Sequence, residues 1–152
     1  MEDIFKSEIN PDTLKNIELK YQKDSALGNL STDTTFQYAT CLVQSKYRSD
    51  WIIGRDLLKD IFKSDEKPFQ RDCLYYIAFA DCKLKNFDDA ISVCQKFLLV
   101  EKGNSQIMGL MELIKKKKRE AAINDGLVVV GTTGAAVGLV LLGAGLISLF
   151  KK

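Results

Sequence analysis

The chain has 152 residues and no histidine. That absence removes the usual general base of hydrolytic triads and a common zinc ligand. Proline is scarce, with only Pro11 and Pro68, so long stretches are free to be helical. The cysteines Cys41, Cys73, Cys82 and Cys94 show no C-x-x-C spacing and fall in apolar helical segments. They read as reduced packing thiols rather than a disulfide framework or a metal site. No glycine-rich phosphate loop and no nucleophile-and-base pair is present. The residues therefore point away from an enzyme and imply no cofactor. There is no N-terminal apolar stretch of signal-peptide length, and Met1-Glu2-Asp3 opens the chain acidic rather than basic.

Charge is unevenly spread. All 20 acidic residues and 20 of the 22 basic ones precede Gly126. Five of those basic residues form one run, Lys115-Lys116-Lys117-Lys118-Arg119. Without the run, 15 basic residues face 20 acidic ones, a balance that argues against nucleic acid, whose binding rests on phosphate neutralisation.

What is present is a long uncharged tail. From Gly126 to Phe150 no residue is charged, and Lys151 and Lys152 follow. As an α-helix this stretch would measure roughly 37 Å at about 1.5 Å per residue, enough to cross a hydrocarbon core of about 30 Å. The basic run then acts as a topology and membrane-targeting signal on the cytosolic side, beside anionic headgroups. A buried core helix is the other reading, but a chain this short can hardly wrap 25 apolar residues on all sides. The expected organisation is a cytosolic helical domain over 1–120, a juxtamembrane linker over 121–125, a transmembrane tail anchor over 126–150 and a basic tail at 151–152.

The first 120 residues read as helices throughout. Asn10-Pro11 is a cap followed by proline in a first turn, with Leu14, Ile17 and Tyr21 recurring behind it. Ser31 opens a second helix, and Ile53, Leu57, Leu58 and Ile61 mark a third. Lys67-Pro68 starts a fourth carrying Leu74, Ile77, Ala78 and Cys82. Ala90, Val93, Cys94 and Phe97 define a fifth, ended by Gly103-Asn104, and Ile107, Leu110, Met111 and Ile114 a sixth.

Two of these helix pairs repeat. Arg71 to Asn104 is a 34-residue helix–turn–helix unit resembling the tetratricopeptide pattern, with Ala90 as the small residue that lets two helix axes approach. About Thr32 to Phe62, Gly54 takes the same role 36 positions upstream. Two repeats cannot cover their own outer faces, so flanking helices, about Thr13–Ala26 and Ser105–Glu120, are expected to cap them. The fold expected is all-α, a six-helix bundle with two tetratricopeptide-like pairs plus the transmembrane helix.

The stretch Phe36-Gln37-Tyr38-Ala39-Thr40-Cys41-Leu42-Val43-Gln44-Ser45-Lys46-Tyr47 closely resembles the signature of the mitochondrial fission adaptors. So do Gln70-Arg71-Asp72, Leu84-Lys85-Asn86-Phe87 and the tail entry Asp125-Gly126-Leu127-Val128. The resemblance implies an adaptor on the mitochondrial outer membrane, facing the cytosol, with a share on peroxisomal membranes. Its partners would be a dynamin-related GTPase and its adaptors, or small-GTPase regulators, and in some members an N-terminal arm folds over the groove. Tyr38, Leu42 and Tyr76 would line that groove, with Phe79 and Lys83 beside Tyr76, and Ser45-Lys46-Tyr47 would form its rim. The chain departs from the family pattern at Trp51, Cys73, Asp81 and Cys82, positions that bear on partner choice rather than on fold.

Two further readings stay open. Gly134 and Gly138 form a G-x-x-x-G spacing, a possible self-association face giving a homo-oligomer. The tail's glycines and threonines suit a mitochondrial or peroxisomal destination. The groove could instead serve an outer-membrane receptor for chaperones or precursor proteins, a use that needs clustered Lys and Asn to clamp a terminal carboxylate.

Overall fold

The computed structural model describes residues 3–131 and 137–141. Six α-helices follow a short 3-10 turn at Ile4–Lys6: α1 Pro11–Ala26, α2 Thr32–Val43, α3 Arg48–Lys63, α4 Lys67–Lys83, α5 Phe87–Val100 and α6 Ser105–Asn124. Each of the first four packs against the next in sequence, and α2 also touches α4. α1 starts at Pro11 rather than Thr13, because Asn10 Oδ1 accepts from the Asp12 N–H at 2.8 Å and fixes the cap there. α6 runs to Asn124, four residues past the expected Glu120.

The helices bury two connected clusters. One joins α2, α3 and α4 through Ala39, Val43, Leu58, Ile61, Cys73 and Ile77. The other joins α4, α5 and α6 through Ala78, Ala90, Cys94, Phe97, Ile107 and Ile114. The two small residues sit where helices approach. A Cβ on Gly54 would lie 2.7 Å from the Ala39 carbonyl oxygen and 2.8 Å from Val43 Cγ1, so α3 closes on α2 only because that position is bare. Ala90 is fully buried in the second cluster beside Ala78. All four cysteines are thiols; burial pushes Cys73 up to about 12 and Cys94 up to about 11, which keeps both protonated and unreactive.

The chain divides into two units, 1–114 and 115–152. In the second, β1 Leu127–Gly131 pairs antiparallel with β2 Val137–Leu141, Leu127 lying opposite Leu141. Among the described residues no helix is long and apolar enough to cross a membrane. Of the expected helix over 126–150, the described residues 127–131 and 137–141 are strands, and the rest of the span lies outside the described residues apart from Gly126. The β-branched run Val128-Val129-Val130 favours that form in the absence of a bilayer. Gly138 stands in β2 opposite Val130, while Gly134, Lys151 and Lys152 lie outside the described residues. Lys115, Lys116, Lys117, Lys118 and Arg119 all fall on α6, where Lys116 Nζ reaches Glu120 at 3.9 Å.

Candidate partner-binding groove

The groove begins with α4. This helix is amphipathic on two sides, so Tyr75 and Tyr76 are half-buried while Phe79 is 5 % exposed. Tyr76 stands edge-on to Tyr75 (5.2 Å between centroids) and to Phe79 (6.5 Å), and Phe36 of α2 extends the aromatic set at 6.2 Å. A cavity of about 690 Å³ opens here, lined by Tyr75, Tyr76 and Phe79 from α4, Gln44 after α2, and Asp3, Ile4, Lys6 and Ser7 from the N-terminal arm.

The arm lies along this floor. Phe5 stacks on Phe79 with centroids 4.9 Å apart and planes at 27°, and the Ile9 N–H donates to the Gln44 carbonyl at 3.0 Å. Ile4 and Phe5 pack against both hydrophobic clusters. The strap is held by two apolar side chains, one ring pair and one backbone bond, set against the entropy of ordering its backbone.

The residues expected at the groove separate into three groups. Tyr76 and Phe79 line it, Phe79 beneath Phe5. Lys46 and Tyr47 are exposed at the turn between α2 and α3, the Lys46 ammonium 5.1 Å from the Tyr47 ring.

The remaining four face elsewhere. Tyr38 packs on α1, its ring 4.6 Å from Tyr21 and its hydroxyl donating to Glu18 at 3.5 Å. Burial and the Glu18 carboxylate push its pKa up to about 12. Leu42 is 4 % exposed, with its Cβ beside Gly54, and belongs to the core. Ser45 is buried as well: its hydroxyl donates to Asp50 at 2.7 Å and accepts from the Tyr47 N–H at 3.1 Å, so it shapes the turn from within. Lys83 is no solvated charge. Its Nζ donates to the carbonyls of Val43 and Ser45 at 2.9 Å each and lies 4.3 Å from the Trp51 ring. Desolvation lowers its pKa to about 8, with Glu8 pulling the other way.

Two features went unread in the sequence. The apolar pair Ile4-Phe5, in an otherwise polar opening, marks the arm's contact with the floor. Arg55 of α3 reaches the buried Asp81 carboxylate at 3.2 Å, and Asn86 donates to the same oxygen at 3.3 Å, tying the two helix pairs together.

Paired helices around an aromatic concavity define a tetratricopeptide-like binding module, a class that works by holding a partner segment. A family model described as the Fis1 C-terminal tetratricopeptide repeat matches residues 71–121. The mitochondrial fission 1 protein of Rattus norvegicus is 36% identical over 149 residues, covering 98% of this chain and 95% of the relative. That of Homo sapiens is 35% identical over the same span. The fission protein Fis1 of Saccharomyces cerevisiae has the same helical fold, with a TM-score of 0.69 at 22% identity over 82% of this chain and 97% of that one. A second yeast Fis1 structure, in complex with an Mdv1 fragment containing N-terminal extension and coiled coil domains, also gives a TM-score of 0.69, over 78% and 91%. The chain belongs to the mitochondrial fission 1 family.

Proposed function

We propose that this chain is a membrane-anchored adaptor that brings the dynamin-related fission machinery, through its adaptors or regulators, to mitochondria and peroxisomes. The carrying observation is the aromatic floor of Tyr75, Tyr76 and Phe79, covered by the N-terminal arm rather than by a helix. A partner segment of apolar, helical or extended character can take the place of Phe5, and aromatics that lifting the arm uncovers at the centre of a groove are the residues that dominate such binding. The yeast relative's complex with an Mdv1 fragment supports a fission adaptor as the occupant. A carboxylate-clamping receptor is disfavoured, because the floor is aromatic and Lys83 commits two of its three donors to backbone carbonyls.

Anchoring would use residues 126–150 as one helix. Inside a bilayer an open strand pair leaves backbone groups unsatisfied, whereas a helix satisfies its own. Lys115–Arg119 would then stay with the cytosolic domain 1–120, and Gly134 and Gly138 could bring two anchors together.

Cells expressing the chain tagged at its N-terminus provide the test, scored by organelle shape. Tyr75→Ala/Tyr76→Ala should still reach mitochondria and fail to fragment the network, while removal of residues 1–9 should fragment it more than the intact chain does. Fragmentation by the double variant equal to that of the intact chain would overturn the groove as the recruiting surface.

A further inference from the structure

Lys83 is the last residue of α4, a place where lysine ordinarily extends into water. Here it turns inward and gathers three elements around one cation. Its Nζ donates at 2.9 Å to the carbonyls of Val43 and Ser45, at the negative end of α2. It lies 4.3 Å from the Trp51 ring centroid on α3 and 5.7 Å from that of Phe79 on α4 itself. The Trp51 Nε1–H donates to the same Ser45 carbonyl at 2.7 Å, so cation and indole share one acceptor. Ser45 in turn fixes the start of the rim through its bonds with Asp50 and the Tyr47 N–H.

We propose that Lys83 is a positioning residue coupling the rim at Ser45–Tyr47 to the arm, so that lifting Phe5 from Phe79 and loosening the turn are one event. The inference rests on the groove reading above. Phe79 serves both sides, contacting the ammonium and stacking on Phe5. While Phe5 is in place, its ring covers Phe79, which is 5 % exposed, and the cation–π contacts are at their strongest. When Phe5 leaves, water reaches Phe79, those contacts weaken severalfold, and water competes for the ammonium's bonds to Val43 and Ser45. A partner displacing the arm would then meet Lys46 and Tyr47 in a new position. Trp51 joins the device from α3, through its ring on the ammonium and its Nε1–H on the Ser45 carbonyl.

Trp51 is the only tryptophan, so its fluorescence reports this site alone. The test uses the full-length protein in detergent micelles, comparing the intact chain with Lys83→Met, Lys83→Arg, Phe5→Ala and the Phe5→Ala/Lys83→Met double variant. Acrylamide quenching of Trp51 reads the rim, limited tryptic cleavage after Lys6 reads the arm, and circular dichroism checks that each variant is folded. Either Lys83→Met or Phe5→Ala should raise both readouts severalfold. The double variant should exceed neither single one, and Lys83→Arg should stay near the intact chain. Independent, multiplying effects overturn the coupling, as does Phe5→Ala leaving Trp51 quenching unchanged, a result available even if Lys83→Met fails to fold. Binding of a fission adaptor is scored separately. Coupling with unchanged binding upholds the proposal and removes the groove reading, whereas altered binding without coupling does the reverse.

Discussion

At the scale of single residues, two polar pairs join the consecutive helices α3 and α4. Trp51 on α3 meets Lys83, and Asp81 on α4 meets Arg55, so two positions expected to bear on partner choice rather than fold also hold the helix pairs together. The lysine site has a measurable signature. Burial brings Lys83 to about 8 from its ordinary 10.5, opposed by Glu8 of the arm; Asp50 reaches the same turn through Ser45, and Lys46 leans over Tyr47. Between those two pH values the unfolded chain holds this proton more often than the folded one. The contribution of Lys83 to stability therefore rises from about pH 8 towards 10.5, with the full cost of the caged charge present below 8. Cys73 and Cys94, pushed up from 9.0, act in the opposite sense above pH 9, because the unfolded thiols ionise first. Bulk stability mixes these terms, whereas Trp51 emission isolates one. Its pH titration should show a midpoint near 8 that disappears in Lys83→Met. A midpoint near 10, or one that survives the substitution, would mean the ammonium is solvated after all.

Secondary-structure elements were legible wherever local chemistry carries them. Asn10-Pro11 and Ser31 begin helices, and Gly28 and Gly103 end them with φ of 70° and 78°. What spacing could not give was which of two buried faces a side chain takes. α2 is covered by α1 on one side and by α3 and α4 on another, so Tyr38 and Leu42, four apart, share helical phase yet neither reaches the groove. Nor could spacing reveal a cap made by an unusual residue. After α1 the Asn29 N–H bonds to the Asp24 carbonyl and the Gly28 N–H to that of Ser25. After α4 the Asn86 N–H bonds to the Asp81 carbonyl and the Lys85 N–H to that of Cys82, the same motif with a lysine at φ 64°. A left-handed non-glycine residue costs about 1–2 kcal/mol, partly offset by the extra freedom glycine has in the unfolded chain. Lys85 is exposed, so little packing is lost on replacing it. Lys85→Gly should therefore stabilise the protein by about 1 kcal/mol, and Gly28→Ala should cost about as much. Denaturant midpoints check both, and a lower midpoint for Lys85→Gly would show that its side chain contributes a contact outweighing the strain.

For the whole molecule, the proposed anchor requires one chain to accommodate two solvents. The helical domain carries its own core, with hydrophobic clusters that need no lipid. The described tail residues 127–131 and 137–141 form a strand pair, whose form depends on what surrounds it. Outside a bilayer, Val128, Val129 and Val130 pair as a strand with Val140, Leu139 and Gly138, and the outer edge of each strand can bond to water. In hydrocarbon those edges have no partner, at a cost of several kcal/mol for each unsatisfied group, while a helix over residues 126–150 leaves none within the span. The bilayer term exceeds any β-propensity of valine, which spans only about 1 kcal/mol per residue. In liposomes the carbon chemical shifts of Val128–Val130 should therefore be helical, and externally added protease should release the domain while leaving the tail protected. Strand-like shifts persisting in liposomes, or a tail digested along with the domain, would defeat the anchor and leave recruitment to a membrane unexplained by this chain alone.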